Sequence, residues 1–160
     1  EMLAPDNPML ISTLAEIQAA SGNLPLAYET YQKAASLAPF DLTYQRQIVR
    51  FSLDYHYQIE SIAAPLAAQL LDEAPDDPVN LDLIAQVLIM RGDLPGAQQY
   101  LWQALKIDPA LASGHLHMCV VYLLSGDVPS AQRSLDLARE LDPIGSIGKQ
   151  AQRLLNNSRP

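Results

Sequence analysis

The amino-acid sequence predicts an all-α fold of about four helix–turn–helix repeats followed by a single C-terminal helix. Three observations support this prediction: a composition rich in Leu and Ala, prolines at nearly constant intervals, and a recurrent Gly-Asn or Gly-Asp turn. The 160-residue chain contains 26 Leu and 21 Ala, but only 10 Ile and 6 Val. Leu and Ala lose little freedom in a helix, whereas β-branched residues fit strands better.

Prolines mark the ends of the predicted repeats. Five of them recur at intervals of 34, 36, 34 and 34 residues, namely Pro5, Pro39, Pro75, Pro109 and Pro143. The last four each follow a short helical run, and proline cannot continue the hydrogen-bond ladder of a helix. The repeat length is therefore 34 residues, with one longer unit.

Glycine turns divide three of the repeats into two helices. They read Gly22-Asn23-Leu24-Pro25, Gly92-Asp93-Leu94-Pro95 and Gly126-Asp127-Val128-Pro129. The glycine can adopt a positive φ and close one helix, the Asn or Asp can begin the next, and proline is tolerated in a first helical turn.

Small residues complete the pattern in each second helix. Alanines lie seven residues apart at Ala27 and Ala34, at Ala97 and Ala104, and at Ala131 and Ala138, with Tyr31, Leu101 and Leu135 between them. Seven residues are about two helical turns, so both alanines of a pair face the same neighbouring helix.

These residues resemble the tetratricopeptide repeat (TPR), a 34-residue helix–turn–helix unit, in an array of bacterial type. The resemblance runs from Pro8 to Pro143. It implies a right-handed α–α superhelix, the TPR solenoid, in which residues 1–160 form one domain. The implied parts are the tail of a preceding repeat at 1–7, repeats at 8–41, 42–77, 78–111 and 112–145, and a capping helix at 146–156.

The second repeat departs from the pattern. It is two residues longer, lacks the glycine turn, and carries Pro65 inside its second helical stretch. A helix that begins near Ser61 would place Pro65 at the edge of its first turn, where proline costs least. We expect the additional residues around positions 55–60.

The two ends of the sequence suggest a piece of a longer repeat protein. Residues 4–8 nearly duplicate residues 74–78, so we expect at least one more repeat upstream. At the other end Ile147, Ala151, Leu154 and Leu155 form one apolar stripe with polar residues opposite. Such a helix is suited to capping a stacked array.

The resemblance also implies a binding site, because in this family the first helices line a concave groove for extended peptides or partner helices. The groove positions of the family correspond here to Met9, Ser12, Thr13, Glu16, Arg46, Gln47, Arg50, Asp82, Leu83, Gln86, Met90, His117, Val120 and Leu124.

Charge in this groove has two interpretations. Arg46 and Arg50, four residues apart on one helix face, predict a ligand carboxylate near repeat two, with an apolar anchor near repeat four. Alternatively, the two arginines pair with Glu16 and Asp82 and only solvate the surface. The acidic Glu16 and Asp82 argue against the subtype that clamps the C-terminal carboxylates of heat-shock chaperones, because they would repel an anionic tail.

Composition and motifs argue against several other functions. The net charge of −8 disfavours nucleic acid as a partner, and no apolar run approaches the roughly 18 residues of a membrane span. His115 and Cys119 have a spacing that metal ligands use, but no third ligand accompanies them, so we expect no metal and no other cofactor. No phosphate-binding loop or nucleophile motif occurs, so we expect no catalytic residues.

Two aromatic features also need an interpretation. The run from Tyr55 to Tyr57 could stack on a ligand, but packing at the helix–helix turn is favoured. Trp102 is expected to pack between repeats rather than to form an exposed contact site.

The sequence thus predicts a non-catalytic protein-interaction module, an adaptor or scaffold that binds a peptide or a partner protein. Self-association into a homo-oligomer is the alternative, and a ligand-sensing or enzymatic domain is a third. The single cysteine, Cys119, excludes an internal disulfide and suggests a cytoplasmic location.

Overall fold

The computed structural model describes the backbone of residues 6–157 and the side chains of residues 6–154. This part of the chain is helical and contains no strand, which confirms the predicted all-α fold. The α-helices are α1 (Pro8–Ala20), α2 (Leu24–Leu37), α3 (Leu42–Asp54), α4 (Ala64–Glu73), α5 (Pro78–Arg91), α6 (Leu94–Ile107), α7 (Ala112–Leu124), α8 (Val128–Leu141) and α9 (Ser146–Asn157). A π-helical turn, Ile59–Ala63, precedes α4.

The helices form two compact units, which are described separately. Unit 1 extends to Glu73 and contains α1 to α4. Its helix α2 packs on both α1 and α3, and α3 also packs on α4. The buried core of this unit consists of small and aromatic or branched residues, namely Ala15, Ala19, Ala27, Tyr31, Ile48, Phe51 and Ile62.

Unit 2 begins at Ala74 and contains α5 to α9. Each helix from α5 to α8 packs against the next one, and α9 covers both α7 and α8. One core cluster comprises Ala85, Ala97, Leu101, Met118 and Val121. A second comprises Leu116, Cys119, Ala131, Leu135, Ala138 and Ala151.

The alanine pairs of the second helices lie at the helix contacts. Ala27 and Ala34 are buried in unit 1, and Ala97, Ala104, Ala131 and Ala138 are buried in unit 2. The large residues between them, Tyr31, Leu101 and Leu135, are buried as well. Small side chains allow two helices to approach closely, and the large residue fills the adjacent layer. The predicted packing role of these positions is confirmed.

The turns form as their sequences predict, except that the Asn23 side chain makes no capping hydrogen bond to α2. Gly22, Gly92 and Gly126 have φ values of 82°, 78° and 81°, a region that residues with a side chain rarely adopt. Several helices begin with an Asn or Asp whose side chain accepts a backbone N–H of the first turn, as Asp93 does from Gly96 and Asp127 from Ser130. These caps satisfy donors that have no partner within the helix.

Repeat two accommodates its additional residues in two places. Its first helix has 13 residues, as in repeats one and four. The turn that follows, residues 55–58, has one residue more than the corresponding turns of those two repeats. The stretch from Ile59 to Glu73 is also one residue longer than α2 or α8. Both additions fall near the positions expected from the sequence.

The second helical stretch of repeat two begins at Ile59, two residues before the predicted start at Ser61. Its first turn is π-helical, with the Ala64 N–H donating to the Ile59 carbonyl five residues earlier. The next residue, Pro65, has no N–H to donate, and its ring would clash with the carbonyl four residues before it in a regular helix. The wider π turn accommodates this proline inside the stretch.

Helix α9 has the amphipathic character that the sequence predicts. Ile147, Ala151 and Leu154 pack on the buried cluster around Cys119, while Lys149 and Arg153 are exposed. The side chain of Leu155 and residues 1–5 of the predicted preceding repeat lie outside the described residues.

Candidate binding surfaces on the first helices

The predicted groove residues lie on α1 and α3 in unit 1 and on α5 and α7 in unit 2. Within each unit, one polar contact joins the two first helices at equivalent repeat positions. In unit 1 the Ser12 hydroxyl donates to Oε1 of Gln47 over 2.5 Å. In unit 2 Nδ1–H of His117 donates to Oδ1 of Asp82 over 2.6 Å. Both pairs are 35 residues apart in sequence.

Unit 1 presents most of its predicted residues to solvent. Met9, Thr13, Glu16 and Arg50 are exposed, and Arg46 and Gln47 are half-buried. Ser12 is the exception, because it is only 2% exposed and bonded to Gln47. Its prediction as a groove residue is therefore corrected: Ser12 holds α1 against α3.

A pocket of about 310 Å³ opens between α1 and α3, with a residue of α2 also lining it. Three of the predicted residues, Glu16, Gln47 and Arg50, line this pocket. The remaining lining residues were not predicted as site residues: Ala19, Tyr31, Phe51, Asp54 and Tyr55. The pocket thus combines charged side chains with three aromatic rings.

Two charged groups of the pocket, Glu16 and Arg50, do not pair with each other. Within residues 6–157, neither the Glu16 carboxylate nor the Arg50 guanidinium has a hydrogen-bond or ion-pair partner. The alternative in which Glu16 neutralises Arg50 is therefore not the observed arrangement. Arg46 acts elsewhere on α3, where its positive charge contributes to lowering the pKa of Asp41 after the hydrogen bonds from Thr43.

The pKa of the Tyr31 phenol is raised by its surroundings in the pocket. Burial is the main cause that raises its pKa, and the charge of Glu16 is the next largest, followed by Tyr55 and Asp54. Carboxylates disfavour ionisation of a neighbouring phenol because both would be negative. The carboxylates of Glu16 and, to a smaller extent, Asp54 therefore contribute negative charge near this hydroxyl.

Unit 2 uses its polar residues internally. Asp82 is 2% exposed, and its second carboxylate oxygen accepts a long hydrogen bond of 3.5 Å from Gln86. Leu83 is 1% exposed. The groove assignments of Asp82 and Leu83 are therefore corrected. Helix α5 carries apolar residues around most of its circumference, so more of its sides are buried than in an amphipathic helix.

The other predicted residues of unit 2 are more accessible. Met90 and Leu124 are exposed, and Val120, His117 and Gln86 are half-buried. Exposed side chains of this kind on one face are a feature of interaction surfaces. The apolar anchor region predicted for repeat four, which contains Val120 and Leu124, stays a prediction.

A second pocket, of about 280 Å³, lies between α6, α7 and α8 of unit 2. Trp102 lines it and is 57% exposed, so the prediction that it packs between repeats is wrong. His115 also lines this pocket, with Nε2 2.9 Å from the Pro109 carbonyl oxygen. Sequence reasoning missed this pocket because helix periodicity alone does not separate a half-covered tryptophan from a packed one.

Cys119 and its neighbours serve packing. The thiol is buried, and burial raises its pKa to about 11. Among the described residues, no three His, Cys, Asp or Glu side chains come together as metal ligands. In the same part of the chain, no helix combines the length and apolar character required to cross a bilayer.

Comparisons with known proteins support the fold and not a particular function. No family model and no curated protein sequence matches the chain. The solved structures that it resembles include TTC0263, a thermophilic TPR protein of Thermus thermophilus. The TM-score is 0.73 at 20% identity, over 88% of this chain and 77% of that one.

Two further structures show the same likeness. Residues 41-end of MamA from Desulfovibrio magneticus RS-1 give a TM-score of 0.62 at 18% identity, over 89% of this chain and 79% of that one. YrrB, described as a TPR protein with an unusual peptide-binding site, gives a TM-score of 0.52 at 15% identity, over 92% of this chain and 93% of that one. With its Pro, Gly and Ala positions in the structural roles described above, the chain has the tetratricopeptide-repeat fold.

Proposed function

We propose that the chain is a non-catalytic protein-interaction module that holds a segment of a partner protein on its first helices. The observation that carries this proposal is the pocket of unit 1. It is open between two consecutive first helices, and its Glu16 and Arg50 side chains have no partner among residues 6–157. Charged groups left without a partner on a surface are available to recognise one.

The fold supports the same function. YrrB, which shares it, is described as having a peptide-binding site. Extended segments and helices are the ligands that helical grooves accommodate through regularly spaced side-chain contacts. Unit 2, taken by itself, exposes the apolar residues Met90 and Leu124 on its first helices. The single buried thiol agrees with a cytoplasmic location, which fractionation of the source cells would test.

A peptide library displayed on phage and selected against the full chain tests this function. Selected peptides are then measured by fluorescence anisotropy with the wild type and with the double variant Arg46→Glu/Arg50→Glu. We expect a change in affinity of about tenfold or more, equivalent to about 1.4 kcal/mol.

The double variant Lys33→Glu/Lys106→Glu is the matched control. It makes the same change in net charge, at exposed positions of the second helices α2 and α6. We expect it to bind the peptides as the wild type does. If no peptide is selected, or if both double variants behave alike, the first helices are not the binding surface.

Self-association is a second candidate, favoured by exposed aromatic residues outside the first helices. Phe40 is 98% exposed in unit 1, and Trp102 stands beside the second pocket in unit 2. Exposed aromatic side chains are enriched at protein–protein contacts. Light scattering across a concentration series tests this: oligomers that disappear in Phe40→Ser or Trp102→Ser would support it, and a monomer at every concentration would exclude it.

A further inference from the structure

The Tyr31 hydroxyl is an accessible polar group at the pocket of unit 1. Tyr31 is only 5% exposed, and it lines the pocket. Its hydroxyl has no hydrogen-bond partner within residues 6–157. Among the described residues, the fully buried side-chain atoms without a hydrogen-bond partner are Gln18 Oε1 and Gln45 Oε1, so the Tyr31 hydroxyl is accessible from the pocket. A ligand group that donates a hydrogen bond into the pocket can therefore reach it.

The charges around this hydroxyl favour a positive ligand group. Glu16 has no partner in the described part of the chain, and Asp54 contributes a second carboxylate to the same pocket. Both act on the Tyr31 phenol. Asp54 is also the last residue of α3, where the helix dipole places partial negative charge. Arg50 is the one cation among the described lining residues.

The aromatic residues add a surface on which a cation can rest. The rings of Tyr31 and Phe51 have centroids 5.3 Å apart, and those of Phe51 and Tyr55 are 5.7 Å apart. Tyr55 is partly exposed at the end of α3. Lysine and arginine side chains bind favourably to the faces of such rings, through both their charge and their apolar stems.

We propose that the pocket of unit 1 receives a basic side chain, lysine or arginine, from the bound partner segment. Glu16 pairs with its charge, the Tyr31 hydroxyl accepts a hydrogen bond from it, and the stem packs on Tyr55. This inference rests on the proposed function and specifies the ligand group that the function leaves open. The net charge of −8 attracts basic segments in the same sense.

A positional peptide array tests the inference. Each peptide has acetylated and amidated ends and carries Lys, Arg, Gln or Glu at one central position within otherwise identical sequences. We expect the full chain to prefer Lys or Arg over Gln by about tenfold, the size expected for one partly desolvated charge pair. The Lys and Arg peptides also distinguish an ammonium from a guanidinium ligand.

Three variants locate this preference. Glu16→Gln should abolish it, whereas Glu29→Gln, an exposed residue of α2 outside the pocket, should leave it intact. Tyr31→Phe keeps the ring and removes the hydroxyl, so it should lower the affinity for the Lys and Arg peptides but not for the Gln and Glu peptides. Because the hydroxyl has no partner in the described part of the chain, this variant should not unfold earlier in urea than the wild type, which separates a binding role from a folding role.

The variant Arg50→Gln shows whether the ligand group is basic or acidic. A basic ligand should bind this variant more tightly, because a repelling charge is removed, whereas an acidic ligand beside Arg46 and Arg50 should bind it more weakly. The inference is overturned if peptides bind without a Lys or Arg preference, or if Glu16→Gln has no effect, and the proposed function then stands. If no peptide binds at all, the proposed function fails and the inference with it.

Discussion

Within each unit the two first helices meet at the same repeat position, but the residues at that contact differ between the units. In unit 1 the contact is a neutral hydrogen bond between Ser12 and Gln47, and the charges of Glu16 and Arg50 find no partner within residues 6–157. In unit 2 the contact is between Asp82 and His117, and Gln86 adds a further bond to the same carboxylate. The contact position is thus satisfied internally in both units. The position that follows one turn later differs, because Glu16 has no partner in the described part of unit 1, whereas Gln86 in unit 2 bonds to Asp82.

The cores differ in a related way. Unit 1 packs Tyr31, Tyr55 and Tyr57 around Phe51, with ring centroids 5.3 to 5.7 Å from that of Phe51. In unit 2 the residue that corresponds to Phe51, 70 positions later, is Val121, which is also buried. Unit 1 thus depends on one aromatic ring where unit 2 distributes its packing over aliphatic residues.

The largest expected effect tests this difference in the cores. Phe51→Ala removes the ring on which three other rings pack, so we expect it to lower the free energy of unfolding by about 3–5 kcal/mol. Val121→Ala removes the equivalent of about two methylene groups and should cost about 2 kcal/mol. Urea unfolding followed by circular dichroism measures both, and equal losses would show that the aromatic cluster has no special weight.

The next largest effect concerns the polar contacts between the two first helices of each unit. Asp82→Ala leaves His117 and Gln86 without their buried partner, and we expect a loss of about 1.5–3 kcal/mol in unfolding free energy. Ser12→Ala breaks one neutral bond and should cost about 1 kcal/mol. The same urea titration applies. A larger loss for Ser12→Ala than for Asp82→Ala would reverse the comparison.

Substitutions in the turns should change stability by a smaller amount, and in opposite directions in the two units. His56 occupies a positive φ of 51° in repeat two, where the other turns have glycine. His56→Gly should therefore stabilise the chain by about 1 kcal/mol. Gly92→Ala should destabilise it by a similar amount, since nothing within 4 Å would obstruct the added methyl and the cost is conformational. Thermal unfolding of the two variants should move the midpoint in opposite directions.

The smallest effect concerns the helix caps of the two units and depends on pH. Hydrogen bonds from Thr43 hold the pKa of Asp41 below its usual value, and those from Ser130 do the same for Asp127. Because each pKa is lower in the folded state, the stabilisation is fully present above the unfolded value near 3.8 and is lost as pH falls through the folded value.

Asn retains the capping oxygen and removes the charge, so Asp41→Asn and Asp127→Asn isolate this pH effect. We expect each variant to be slightly less stable than the wild type at neutral pH, and the difference to vanish near about pH 2. Urea midpoints at the two pH values measure it. A difference that persists in acid would show that the charge is not its source.

Much of the fold was predictable, because the residues that fix it act locally. Gly22, Gly92 and Gly126 adopt a conformation that few other residues tolerate, and a proline follows the second helix of each repeat, where the hydrogen-bond ladder stops. The alanine pairs specify which faces meet. These signals depend on residue type and spacing alone, and so they are readable without coordinates.

The site was less predictable, because burial depends on what lies opposite a residue. Asp82 and Leu83 occupy groove positions of the family but are buried here, since α5 is apolar on most sides. Tyr31 was correctly expected in the core. That its hydroxyl reaches a pocket beside Glu16 depends on the ring's placement relative to α1 and α3, and residue spacing does not specify that placement.

The π turn before Pro65 also constrains how repeat two can change. An inserted residue in a helix can in principle migrate along it as hydrogen bonds switch between partners four and five residues back. Such a switch needs an N–H at every step, and Pro65 has none. The proline therefore confines the insertion to the turn from Ile59 to Ala63, and α4 keeps one register against its neighbours.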